Sequence, residues 1–259
     1  MSELDRETRD ALAELLLAMA DDEFVLGFWD SEWTGIAPIL DEDVAMSSVS
    51  QDEIGHAKAL YELLAELTGE DPDQIAFGRP DDAYRHAALM NHARTDWAFS
   101  IARRFLYENA DAVRLESLDG SSHQPLAGLA AKMRREETYH LLHFDLWLRR
   151  LAEGGSDSRG RLAEALEMLW PDAQAVFAPL AGEARLLAAR ILPDSLETLR
   201  ARWLDRVVPR LEQLGLPVPS PTQRAAAPPS EARTRRTPDF EWLHGEFTMV
   251  ARSDAGATW

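Results

Sequence analysis

Four stretches of this sequence repeat apolar side chains every three or four residues, and each repeat is broken near its middle by a carboxylate. That spacing draws one stripe along a helix face, so the chain is built for helices packed stripe to stripe. The first stripe is Leu12, Leu16, Met19, Glu23, Leu26. The second is Met46, Val49, Glu53, His56, Leu60, Leu63, and the third is Trp97, Ile101, Phe105, Glu108, Ala112, Leu115. The fourth is Ala130, Met133, Glu137, His140, Phe144, Trp147, Leu151. In the second and fourth an imidazole follows the carboxylate three residues later, giving Glu53-Ile54-Gly55-His56 and Glu137-Thr138-Tyr139-His140. Glu and His at i and i+3 share a face and reach toward one point.

Local signals place these stripes on helices over about 7–32, 41–67, 96–118 and 125–152. Trp33-Thr34-Gly35 and Pro38 end the first, Gly69 and Pro72 stop the second, Asp96 is the N-cap of the third, and Gly154-Gly155 closes the fourth. Residues 70–95 read as a long connection with a short helix near 81–93. Two further helices are expected over about 159–190 and 194–214, with a kink or break at Trp170-Pro171. Between Pro217 and Pro238 lie six of the fourteen prolines, which reads as an extended linker or wrapping arm. The segment from Phe240 to Trp259 regains aromatic residues and is expected to dock on its own bundle or on a partner. Two domains follow: a helical domain over 1–215, and an arm with a docking tail over 216–259. The two Glu-x-x-His helices suggest a weak duplication of one helical hairpin.

A buried carboxylate must be paired, protonated or metal-bound. Four carboxylates at one level of a helical bundle repel one another, whereas two divalent cations cancel their charge. The expected ligands are therefore Glu23, Glu53, His56, Glu108, Glu137 and His140, the arrangement that holds a di-iron pair in four-helix bundles. All-oxygen and nitrogen ligation selects iron or manganese, and zinc also accepts these ligands. Each piece has an ordinary reading. A single Glu-x-x-His arises by chance in a chain with 28% charged residues, and Glu23 alone reads as a helix-face charge. The joint order Glu, Glu-x-x-His, Glu, Glu-x-x-His, all on core faces, does not reduce to that. Asp52 and Glu136 directly precede two of the ligands. An acid there accepts the second N–H of a ligand imidazole and fixes its tautomer, or is simply a solvated helix charge. His143 reads as a partly exposed side chain, and His86, His92, His123 and His244 receive no role.

Composition removes other chemistries. The 259 residues contain no cysteine, so Fe–S clusters, thiolate nucleophiles and disulfides are absent. No flavin or nicotinamide fingerprint occurs. A net charge of −18 repels phosphate backbones, so no nucleic-acid partner is expected. Hydrophobic content of 46% with a mean hydropathy of −0.30 describes a globular chain, and no apolar run reaches membrane-spanning length. The acidic start Met1-Ser2-Glu3-Leu4-Asp5 lacks a signal-peptide n-region, so a cytoplasmic location is the expectation.

At these motifs the chain resembles the ferritin-like subunits of phenylacetyl-CoA epoxidase, the multicomponent ring-epoxidising monooxygenase of bacterial phenylacetate catabolism. Gln51-Asp52-Glu53-Ile54-Gly55-His56 and Glu136-Glu137-Thr138-Tyr139-His140 are similar to the metal motifs of its catalytic, A-type chain. Leu169-Trp170-Pro171 and Val208-Pro209-Arg210-Leu211-Glu212-Gln213-Leu214-Gly215 resemble the later helices of that superfamily. The length, Glu32-Trp33-Thr34-Gly35 and the ending from Glu241-Trp242-Leu243-His244 to Trp259 are more similar to the C-type chain. The resemblance implies an all-α, ferritin-like four-helix bundle with additional C-terminal helices and an extended Pro-rich tail. It implies a di-iron cofactor (manganese as the alternative), an A-type catalytic partner, a separate reductase, phenylacetyl-CoA as the substrate of the complex, and homo- or hetero-oligomeric assembly. C-type chains of this family are structural partners and lose several ligands, whereas all six ligands are present here.

Under that resemblance Glu53 and Glu137 would bridge the metals, and Glu23 and Glu108 would be terminal. Arg103, Arg104, Arg134 and Arg135 are near the right helices to meet a coenzyme A moiety at a pocket mouth, but nothing in the sequence selects among them. Two other readings stand beside the epoxidase component: a stand-alone ferritin-like di-iron or di-manganese oxidase or ferroxidase, and a metal-free interaction subunit.

Overall fold

The computed structural model describes residues 4–228 and 231–254; Met1-Ser2-Glu3 and the end of the tail through Trp259 lie outside the described residues. The fold is all-α, with no strand among the described residues. In chain order the helices are α1 (Arg6–Ser31), α2 (Leu40–Thr68), α3 (Pro72–Phe77), α4 (Trp97–Leu118), α5 (Gln124–Glu153), α6 (Ser156–Ala173), α7 (Glu183–Ala188), α8 (Leu196–Gln213), α9 (Pro221–Ala225) and α10 (Pro238–Ser253). They divide between two compact units. One holds the described residues of Met1–Ala93 and Arg233–Trp259; the other is Arg94–Ala232.

In the first unit α1 and α2 form a hairpin. Asp5 caps α1 by accepting the Thr8 N–H at 3.0 Å. Gly35, at φ +86°, turns the chain, and Asp43 in the first turn of α2 accepts the Gly35 and Ala37 N–H groups at 2.9 and 3.0 Å. Gly69 ends α2 in the left-handed conformation. The stripes of both helices are buried over their full predicted length. The connection that follows differs from expectation. Pro72 starts a helix there, because its missing N–H falls among the first-turn donors that have no helical partner anyway. Residues 81–91 make only two short 3₁₀ turns.

Two neighbouring acids on α1, Asp21 and Asp22, organise the rest of this unit. Asp21 accepts from Arg79 (2.5 and 3.0 Å), from the Tyr61 hydroxyl (2.6 Å) and from the Arg85 N–H (2.5 Å). Asp22 accepts from the Ala87 N–H (2.7 Å) and from both Nη atoms of Arg233 (3.0 and 3.1 Å). The segment before α10 is thus pinned to α1 by a charge pair. α10 then lays Phe240, His244 and Phe247 against Tyr84 and Phe24, while Trp242 stacks on Trp29.

In the second unit α4 and α5 form the corresponding hairpin, with α6 and α8 packed on α4. Asp96 caps α4 through the Phe99 N–H at 2.9 Å, as the sequence predicts. The Trp203 indole of α8 donates to the Leu106 carbonyl at 3.0 Å and stacks on Trp170 of α6. At the far end of α5 the predicted stripe slips by one: Leu148 and Ala152 are buried, while Trp147 and Leu151 are half-buried. A helix turns every 3.6 residues, so a stripe stepped by threes and fours drifts off the core line. The helix expected over 159–190 with a kink or break at Trp170-Pro171 is broken close to that point, into three pieces. α6 carries Pro171 in its last turn and stops at Ala173, a 3₁₀ turn covers Gln174–Phe177, and α7 follows. The Pro-rich arm is less extended than its composition suggests. α9 forms inside it with a Ser220–Gln223 capping box, and Arg200 of α8 donates to the Arg224 and Ala226 carbonyls.

Candidate metal centre

Each hairpin presents a lone Glu on its first helix and a Glu-x-x-His on its second. In the first unit Glu23 comes from α1, and Glu53 and His56 from α2. All three are buried, and each offers a ligand atom within 4.8 Å of the others. The His56 Nδ1 lies 3.6 Å from Glu23 Oε2. Close backbone approach allows this. Gly27, one turn after Glu23, faces α2 so tightly that a Cβ there would meet Glu53 Cβ at 3.1 Å and Ile54 Cγ1 at 3.0 Å.

In the second unit Glu108 comes from α4, and Glu137 and His140 from α5. These three are also buried, with ligand atoms within 4.8 Å of one another. The His140 Nδ1 lies 3.2 Å from Glu137 Oε1. The six predicted ligands thus fall into two trios, each of two carboxylates and one imidazole. The chemistry of each trio fits a divalent cation of the iron or manganese type: two negative charges, a neutral nitrogen, and no soft donor.

Asp52 and Glu136 are half-buried beside their ligand neighbours. The arginines read as a coenzyme A contact are placed otherwise. Arg103 and Arg104 are wholly buried, and Arg104 Nη1 donates to Glu108 Oε1 at 2.6 Å. Burial therefore removes both from any pocket mouth. Arg134 pairs with Asp119, and Arg135 is exposed on α5.

Several histidines that carry no sequence signal are used by the fold. His86 is fully buried, 2.9 Å from Asn91 Oδ1 and 4.2 Å from the Phe240 ring. Burial, and then the charge of Arg236, hold its pKa well below the ordinary imidazole value. His123 caps α5 with its ring nitrogen, and the His244 ring contacts the Arg79 carbonyl at 3.0 Å. Asp21 and Asp22 are equally invisible in the sequence: beside Glu23 they read as one acidic run, and their partners lie far along the chain.

An all-α chain with hairpins that repeat Glu and Glu-x-x-His defines a helical-bundle protein of the carboxylate–histidine class. It belongs to the phenylacetic acid catabolic protein family, whose profile matches residues 1–259. The chain is 30% identical over 209 residues to the C-type component of 1,2-phenylacetyl-CoA epoxidase of Escherichia coli (strain K12), covering 80% of this chain and 84% of that one. It is 28% identical over 196 residues to the A-type component of the same enzyme, covering 74% of this chain and 63% of that one. No helix among the described residues is long and apolar enough to cross a membrane.

Proposed function

We propose that this chain is the C-type component of a multicomponent oxygenase that epoxidises the aromatic ring of phenylacetyl-CoA, and that it keeps the capacity to bind metal. The observation that carries the first part is the similarity to the C-type epoxidase component over most of both chains. The second part rests on the two buried trios. Glu23, Glu53 and His56 of the first hairpin, and Glu108, Glu137 and His140 of the second, would supply the ligands for a pair of metal ions, iron first and manganese as the alternative. A bound pair supplies redox chemistry toward dioxygen. The chain's own residues neutralise that charge, orient the imidazoles, and keep bulk water out with the buried Met46, Phe105, Met133 and Phe144. Asp52 and Glu136 hold the tautomer of the ligand histidines.

With neither a flavin or nicotinamide fingerprint nor cysteines for an Fe–S cluster in the chain, electrons would come from a separate reductase. An A-type chain is the expected partner, and a cytoplasmic setting suits a coenzyme A thioester. A metal-free interaction subunit is the second reading. The Arg104–Glu108 pair favours it, because one ligand carboxylate already has a counter-charge.

Co-expression with an A-type chain checks the role in the complex. The two should co-purify and turn over phenylacetyl-CoA when a reductase is added; an isolated chain that oxidises ferrous ion or dismutates peroxide by itself reverses the reading. Metal analysis after iron-supplemented expression checks the site. Uptake near two ions per chain is expected, falling in Glu53→Ala and Glu137→Ala; uptake far below one ion leaves the metal-free reading.

A further inference from the structure

Arg104 precedes Glu108 by four residues on α4, so one helix turn lays its guanidinium over the Glu108 carboxylate. The bond from Nη1 to Oε1 is 2.6 Å, and neither side chain is exposed. The same guanidinium lies 5.3 Å from the ring centroid of Phe144, one turn beyond His140 on α5. The positive charge therefore sits among the residues of the second trio. Glu108 and Glu137 carry two negative charges between them, and Arg104 cancels one. A divalent cation at Glu108 would have to share that carboxylate with the guanidinium, and two cationic groups so close repel strongly in a buried place.

We propose that Arg104 is a resident counter-ion that competes with a divalent cation for Glu108, so that loading of Glu108, Glu137 and His140 requires the guanidinium to release Oε1. The inference rests on the metal reading above and adds a control on occupancy. It makes Arg104 a positioning residue whose charge sets how readily this trio fills.

The test is Mn(II) titration of the chelator-treated full chain, read by the signal of free Mn(II) and by the melting temperature. Arg104→Gln should bind the affected equivalent about tenfold more tightly or better, as expected for removing a neighbouring like charge. Without metal the same variant should melt below the unaltered chain, and Mn(II) should raise its melting temperature by more. Arg104→Met repeats the measurement with an uncharged, apolar side chain, in case Gln folds poorly. Arg104→Lys keeps the charge and should bind like the unaltered chain. Adding Glu108→Gln to Arg104→Gln should abolish the gain. Equal isotherms for the unaltered chain and both neutral variants overturn the inference while leaving the metal site standing. A gain that survives Glu108→Gln also overturns it. No uptake by any of these proteins removes the metal reading and the inference together.

Discussion

Gly27 decides how near Glu23 and Glu53 come. Alanine is the better helix former by about 0.5–1 kcal/mol. A Cβ at this position would nevertheless meet Ile54 Cγ1 at 3.0 Å and the Ser50 carbonyl at 3.3 Å, and overpacking of that kind costs about 1–3 kcal/mol. The clash should win: Gly27→Ala is expected to lower the urea midpoint, and a rise would show that α2 gives way cheaply. His86 gives a second residue-scale expectation. Its folded pKa lies below its unfolded value of about 6.5, because burial first and the Arg236 charge second disfavour the imidazolium. The unfolded chain then takes up the proton more readily. The contribution is fully present above about pH 6.5 and is lost as the pH falls below it, by up to about 1.4 kcal/mol per pH unit for one proton. Denaturant midpoints at about pH 7.5 and 5.5 should differ in that direction, and less so in His86→Gln.

At the scale of elements, the four long helices were legible because their signals are local. Stripes, the Asp96 cap and the Gly69 stop all act within one turn or two. The six candidate ligands were legible for the same reason, as polar residues intruding on those stripes. The Pro-rich arm was not, because what orders it is distant: Arg233 meets Asp22 across 211 residues of sequence. No composition rule finds such a pair. The Arg104–Glu108 pair was within reach at i, i+4, yet two adjacent arginines look like a surface feature until burial is known. The arm also carries its own prediction. Arg233→Gln leaves Asp22 buried beside a neutral partner and should cost about 3 kcal/mol or more. It should also loosen the backbone around Arg235, already exposed, and the half-buried Arg236, so that trypsin releases α10 within a time that leaves the unaltered chain whole. Equal cleavage of the two proteins would show that the aromatic contacts of α10 alone hold the segment.

For the whole molecule, family membership and metal capacity are separate questions. Identity to a relative runs along most of the chain, whereas the proposed capacity to bind metal rests on six side chains, one of which, Glu108, is already paired with Arg104. A chain can keep the first while a single neighbouring charge alters the second. The division into units has another consequence. Arg94–Ala232 is continuous in sequence, but the unit built around α1 is closed by residues from 233 onward. A ribosome adds about 5–20 residues per second. Asp21, Asp22 and the Phe24 face of α1 therefore wait on the order of ten seconds after synthesis before Arg233 and Phe247 exist. The later-made half can finish folding first, and the earlier-made half spends that interval with its apolar face open to other chains.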